Sequence, residues 1–154
     1  MSDLPARISM REVGPRDGLQ NESPVPTSAK VRLVDALSQT GVRRIEAVSF
    51  VNPRAIPQMA DADDVWSAIS RAPGVVYSAL VPNLRGGVRA LDAGCLDIET
   101  VVSASETHNR ANVNRSTSKS LDEIAQLIAL AHDRGATCHV TVATAWGCPY
   151  EGDV

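Results

Sequence analysis

Gly74-Val-Val-Tyr-Ser-Ala-Leu-Val-Pro-Asn-Leu-Arg-Gly-Gly-Val-Arg-Ala-Leu-Asp-Ala-Gly94 holds the repeating unit from which the fold is read. A glycine opens it, residues 75–80 form a run rich in β-formers, Pro82 and Asn83 make a polar loop, residues 84–93 read as a helix, and Gly94 stops it. The same order recurs on both sides. Upstream, residues 8–13 predict a strand, followed by the polar loop Gly14-Pro-Arg-Asp-Gly-Leu-Gln-Asn-Glu22. Ser23-Pro-Val-Pro26 then extends the chain, because each proline fixes its own φ and pushes its predecessor out of the helical region. A helix over residues 28–40 places Val31, Val34 and Leu37 at helical spacing and ends at Gly41. The second strand is expected at Arg44–Ser49, and a helix over residues 61–70 presents Val65, Trp66 and Ile69. Downstream come a strand over residues 97–102, a long polar loop over 103–118, and a helix whose start is marked by Ser120 and Glu123 at capping-box spacing. Leu121, Ile124, Leu127, Ile128 and Ala131 are its expected buried face, Gly135 its stop, and residues 137–142 a fifth strand.

Strands alternating with helices at this spacing argue for right-handed βαβ units and a parallel sheet. Two architectures accept the pattern: a doubly wound open sheet, or part of a (β/α)8 barrel. About four and a half units are too few for a closed eight-stranded barrel, which takes ~250 residues. No linker or low-complexity stretch divides residues 1–154, so one domain is expected.

Composition narrows the function classes. The 154 residues are 44% hydrophobic and 21% charged, with a formal net charge of −3, which fits a folded chain with a core of its own. A weakly acidic chain with five aromatics (Phe50, Trp66, Tyr77, Trp146, Tyr150) offers neither a basic field nor a stacking platform for nucleic acid. No apolar run is long enough to span a membrane. The opening Met1-Ser-Asp-Leu-Pro-Ala-Arg7 lacks the basic and apolar regions of a secretory signal, so a cytoplasmic location is expected. Cys95, Cys138 and Cys148 are odd in number and have no CxxC spacing, which disfavours both a disulfide framework and a structural zinc.

In either architecture the functional face lies at the C-terminal ends of the strands. The loops leaving the strands carry the polar content: Arg16 and Asp17 after the first, Ser49 and Asn52 after the second, Asn83 after the third, Glu106, Thr107, His108 and Asn109 after the fourth. Gly14-Pro-Arg-Asp-Gly18 sets a planar cationic donor beside an anionic oxygen ligand; on spacing alone it also reads as a surface turn with a local ion pair. Glu46 interrupts the apolar run Ile45-Glu-Ala-Val48 and, if buried, needs a partner. His108 reads as a solvated loop residue, His132 as a helix-terminal charge, His139 as a packed strand residue, and Cys148 as structural or substrate-lining.

With these residues in view, the chain resembles the hydroxymethylglutaryl-CoA lyase family. The matching segments are Glu12-Val-Gly-Pro-Arg-Asp-Gly-Leu-Gln-Asn-Glu22, Ile45-Glu-Ala-Val-Ser-Phe-Val-Asn-Pro53, Pro57-Gln-Met-Ala-Asp61, Pro82-Asn-Leu84, Ala104-Ser-Glu106 and Gly147-Cys-Pro-Tyr-Glu-Gly152. The resemblance implies the N-terminal part of a (β/α)8 TIM barrel, and cleavage of a 3-hydroxy-3-methylglutaryl thioester to acetyl-CoA and acetoacetate. It implies that Asp17 is a ligand to a divalent metal, Mg2+ or Mn2+, that Arg16 and Glu46 are catalytic, and that Arg16 and Gln20 face substrate. The family's His-x-His pair, an Asn ligand and its catalytic cysteine come from later strands than those in this sequence, and Cys148 matches an earlier, similar segment. An acyl-CoA substrate, a homodimer at full length, and a place in leucine degradation and ketone-body metabolism are also implied. The alternatives are a related Claisen-type condensing enzyme, such as a homocitrate or isopropylmalate synthase, and a non-catalytic half-barrel that only binds. The Gly-Pro before Arg16 and the Gln20-Asn-Glu22 continuation favour the lyase.

Overall fold

In the computed structural model, Pro5 and residues 7–154 are described; residues 1–4 and Ala6, part of the stretch searched for a secretory signal, lie outside the described residues. Five parallel strands form one sheet in the sequential order β1-β2-β3-β4-β5. They are β1 (Arg11–Glu12), β2 (Arg44–Ser49), β3 (Val76–Leu80), β4 (Asp97–Ser103) and β5 (Thr137–Ala143). The helices are α1 (Thr27–Leu37), α2 (Ala62–Ala68), α3 (Leu84–Asp92), α4 (Glu106–Val113) and α5 (Thr117–Asp133). Sequential order with a helix after every strand but the last is the winding of a barrel; a doubly wound sheet would reverse its order.

Alternation along the strands sorts two faces. Ile45, Ala47, Val48, Tyr77, Ala79 and Ile98 join the core with Val34 of α1, Val65 and Trp66 of α2, Ala90 and Leu91 of α3, and Leu127 and Ala131 of α5. The opposite, concave face carries Arg44, Glu46, Ser78, Asp97, Glu99, His139 and Thr141. A register shift between Glu46 and Val48 turns both Ala47 and Val48 into the core, and it brings Ser49 onto the same cavity as Glu46.

Several boundaries differ from the sequence expectation. The first strand covers only Arg11–Glu12, because β1 has a single partner and Ile8 and Met10 lie exposed with nothing to pack on. The loop expected over residues 103–118 contains α4, capped by the Ser105 hydroxyl, which accepts from the His108 N–H at 3.1 Å. Asn114, at φ 53°, ends α4 in the left-handed region. The long helix begins at Thr117 with Ser116 as its cap, not at Ser120. Ser120 is instead buried inside α5, accepting from Asn109 Nδ2 at 2.8 Å, while Glu123 accepts the Leu84 N–H at 2.9 Å and pairs with Arg115. Leu121, expected in the buried face, is exposed, whereas Ile124, Leu127 and Ala131 are buried.

Two contacts, one between α3 and the segment after β2 and one between α1 and the start of α2, are open to test. A Cβ at Gly86 would stand 2.6 Å from the Phe50 carbonyl oxygen, a backbone atom that cannot swing aside. Gly86→Ala is therefore expected to cost about 2 kcal/mol, read as a lowered midpoint in urea unfolding. Lys30, buried on α1, donates to Asp61 Oδ1 at 2.5 Å and to the Gln58 carbonyl at 2.5 Å, and Thr27 Oγ1 donates to Asp61 Oδ2 at 2.7 Å. Burial alone would raise the Asp61 carboxyl, but hydrogen bonds from Lys30 and Thr27 outweigh it and hold the group below its ordinary value. A depressed folded-state pKa contributes stability above the unfolded value, and that contribution is lost as pH falls through the folded one. Asp61→Asn is thus expected to cost about 3 kcal/mol near neutrality, with the gap from wild type narrowing below pH ~4. A gap that stays constant across the acid range would contradict this.

Candidate functional site

The site starts where β1 ends. After Glu12 the chain enters one π-helical turn, Gly14–Gly18, in which the Arg16 and Asp17 N–H groups donate to the Val13 carbonyl at 3.0 and 2.7 Å. The Gly14 N–H donates to Glu12 Oε1 at 2.6 Å, which ties the start of the turn to the end of β1. Pro15 is buried under it. Such turns occur often at functional sites, and this one presents two consecutive side chains at a strand's C-terminal end.

Arg16 bridges two carboxylates. Its Nη1 donates to Asp17 Oδ1 at 2.5 Å, and its Nε donates to Glu46 Oε1 on β2. Glu46 is 3% exposed at its side chain against 56% for Asp17, so one partner anchors the guanidinium from below while the other stays open to solvent. Glu46 therefore has the partner its burial demands.

Arg16, Asp17, Gln20 and Glu46 all line one cavity of about 310 Å³, walled further by Ser49, Leu80, Pro82, Glu99, Val101, Thr141 and by Asn112 and Val113 of α4. Gln20 Oε1 and Ser49 Oγ are buried without a hydrogen-bond partner among the described residues. Unpaired buried polar atoms are few in folded chains, and here Gln20, Ser49 and Glu99, whose two carboxylate oxygens also lack a hydrogen bond, gather on one cavity. The exposed Asp17 carboxylate, using one oxygen for Arg16, together with the open Gln20 oxygen, is a donor set of the kind a hard divalent cation takes.

Other candidates lie elsewhere. His108 sits on α4, half-buried, with Nδ1 2.7 Å from Ser103 Oγ, so it is not a free loop residue. His132 is exposed in the last turn of α5. His139 meets Arg44 Nη2 at 3.1 Å on the concave face. Asp97, Glu99 and His139 are the three side chains among the described residues grouped closely enough to share a metal ion. Arg44 Nη2 lies 2.9 Å from Asp97 and 3.8 Å from Glu99, however, so a guanidinium already takes the cation's place there. Cys148 is buried in a closed turn, its N–H on the Gly152 carbonyl at 2.6 Å and its Sγ 3.0 Å from Ser105 Oγ, which is a structural setting. All three cysteines are free, and burial pushes Cys95 up to about 12 and Cys138 to about 11.

Most of the polar residues counted on the loops build the scaffold. Asn83 caps α3 by accepting the Gly86 N–H at 2.8 Å; Asn109 is buried, joining the Ser103 N–H, the Arg115 carbonyl and Ser120; Glu106 accepts the Thr117 N–H at 2.7 Å. Glu99, Thr141 and the arginines Arg11 and Arg44 were missed. Their signal was present as polar residues at alternate positions, Asp97/Glu99 and His139/Thr141, inside otherwise apolar strands.

A parallel β/α sheet wound in barrel order, with a charged cavity at the C-terminal ends of its strands, defines a barrel-enzyme type of site. The chain belongs to the HMGL-like family, whose model matches residues 7–152. It is 47% identical over 97% of its length to hydroxymethylglutaryl-CoA lyase YngG of Bacillus subtilis, covering 50% of that protein. It is 45% identical over 98% of its length to the mitochondrial hydroxymethylglutaryl-CoA lyase of Gallus gallus, covering 51% of it. A solved HMG-CoA lyase from Acinetobacter baumannii, in complex with coenzyme A and 3-methylmalate, superposes with a TM-score of 0.90 at 41% identity, over 95% of this chain and 48% of that one. The chain spans about half the length of the curated relatives it matches, and its five curled strands match the N-terminal half of a TIM barrel.

Proposed function

We propose that the complete polypeptide is a divalent-metal-dependent carbon–carbon lyase. It cleaves 3-hydroxy-3-methylglutaryl-CoA, or a close 3-hydroxy-3-alkylglutaryl-CoA, to acetyl-CoA and a 3-keto acid such as acetoacetate. The observation that carries this is one cavity lined by a glutamate-anchored guanidinium, an open aspartate beside it, and buried polar atoms without hydrogen-bond partners. The names borne by its relatives fit that reading, and the coenzyme A complex of the Acinetobacter protein supports an acyl-CoA substrate.

Each residue has a part. A Mg2+ or Mn2+ ion held by Asp17, and completed by ligands outside residues 1–154, would bind the substrate's carboxylate and tertiary hydroxyl and lower the hydroxyl pKa. Transfer of the hydroxyl proton to a general base lets the bond between the carbinol carbon and the neighbouring CH2 break; the electron pair passes to the thioester as an enolate, and a general acid in exchange with solvent returns a proton to that carbon to give the acetyl group. Arg16 supplies the fixed positive donor for the enolate oxygen, with Nε and Nη1 already engaged and the guanidinium thereby held in one orientation. Gln20, through its side-chain amide N–H, and Ser49, through its hydroxyl, would donate to the bound acyl group from the same cavity. A homodimer, a cytoplasmic location and a role in leucine degradation and ketone-body metabolism belong to the same proposal; no helix among the described residues is long and apolar enough to cross a membrane.

Incubation of the complete polypeptide with 3-hydroxy-3-methylglutaryl-CoA and Mn2+ should yield acetyl-CoA and acetoacetate in equal amounts. Residues 1–154 alone should yield neither. If the complete chain instead consumes acetyl-CoA with a 2-oxo acid and releases free coenzyme A, it is a condensing enzyme and the lyase assignment fails.

A further inference from the structure

Behind Glu46 the concave face carries a line of alternating charge, its carboxylates buried and its arginines partly exposed, that the reaction above does not use. Arg11 reaches from β1 and places Nη2 2.7 Å from Glu99 Oε1 and Nη1 3.9 Å from Glu46 Oε2. Arg44 Nη2 lies 3.8 Å from the same Glu99 oxygen. The two carboxylates are almost completely covered, with side-chain exposures of 3% for Glu46 and 2% for Glu99. Neither Glu99 oxygen has an aligned hydrogen bond, so charge alone holds that group. Burial holds the Glu99 carboxyl above its ordinary value although Arg11 and His139 draw it down, with Glu46 and Asp97 adding to the rise; the Arg11 guanidinium, in ion-pair reach of both glutamates, lies between them.

Two buried carboxylates this close repel unless a cation lies between them, and a cation between them is shared according to distance. Here the sharing is unequal: Arg11 sits on Glu99 and stands off from Glu46. Glu46 is thus screened from Glu99 yet keeps Oε1 for the Nε of Arg16. We propose that Arg11 and Glu99 are positioning residues for Arg16, acting through Glu46: Arg11 shields Glu46 from Glu99, and Glu99 keeps Arg11 from competing for Glu46. This rests on Arg16 being the substrate-facing cation.

The two single changes should disturb Glu46 in opposite ways. Arg11→Met leaves Glu46 facing an unscreened Glu99; Glu99→Gln frees Arg11 to swing onto Glu46 and displace Arg16. Removing both charges leaves Glu46 with Arg16 alone, so the double variant should recover. That non-additivity separates positioning from a general packing role, for which the double variant would be as poor as the worse single or poorer. In the complete polypeptide, the 1H–15N resonance of Arg16 Nε, assigned by its loss in Arg16→Lys, is expected to shift in each single variant and return in the double. The turnover number should fall about tenfold in each single variant with KM little changed, and recover to within about threefold in the double. An Arg16 resonance unmoved in Glu99→Gln, or additive losses in the double variant, would overturn the proposal. Should Arg11→Met fail to fold, the Arg16 resonance in Glu99→Gln alone still decides it. The resonance needs no turnover: a shift that follows this pattern in a protein without lyase activity would refute the lyase reading and leave the positioning intact, whereas an unmoved resonance in an active lyase would do the reverse.

Discussion

Arg16→Lys and Arg16→Gln, made in the complete polypeptide, are each expected to lower the turnover number by ~10²-fold, the scale of losing one preorganised donor to a developing oxyanion. The guanidinium is fixed at two of its nitrogens, by Glu46 on Nε and by Asp17 on Nη1. Only a planar fork can keep both bonds and still present a third nitrogen to a thioester oxygen. Lysine keeps the charge and loses that geometry, so it should be nearly as damaging as glutamine. Charge on the thioester oxygen grows as the carbon–carbon bond breaks, so the loss should fall on turnover and not on KM. Steady-state kinetics on both variants decides between roles: a raised KM with unchanged turnover would make Arg16 a binding anchor.

Asp17→Asn is expected to act on the metal first, weakening Mn2+ binding by ~100-fold, at the upper end of what even outer-shell partners contribute. The amide cannot supply the anionic oxygen that the exposed carboxylate offers. Arg16→Gln should change Mn2+ affinity much less. Electron paramagnetic resonance titration of Mn2+ against the two variants checks the division of labour, and equal losses in both would show that Arg16 and Asp17 act as one unit.

The strand–helix order of the chain was legible because β-rich runs, helical apolar spacing and glycine stops are local signals. Strand order was not legible from those signals, since a barrel and a doubly wound sheet share them; hydrogen bonding between β1 and β2, and on through β5 in sequence, separates the two. The start of α5 was misread because Ser120 and Glu123 have the right spacing for a cap, but their partners, Asn109 and the Leu84 N–H, are distant in sequence. Gly14-Pro-Arg-Asp-Gly18 pointed to the cavity because its chemistry is contiguous. Glu46 was visible as a charge in an apolar strand, whereas its pairing with Arg16, 30 residues away, needed the fold. Glu99 shows in the sequence only as a polar residue alternating with apolar ones on β4, whereas Arg11 and Arg44 are ordinary on their own strands, and only the curled sheet sets the three in line.

The most direct test of Arg16 as an enolate-stabilising group is the isotope content of the acetyl-CoA released in D2O. Cleavage through a thioester enolate takes its returning proton from the medium. Mass spectrometry of the product from the complete polypeptide should therefore show one deuterium in the acetyl methyl group, with the same labelling but ~10²-fold slower formation in Arg16→Gln. Acetyl-CoA formed without deuterium, or formed at the wild-type rate by Arg16→Gln, would contradict the role assigned to the cavity at the end of β1.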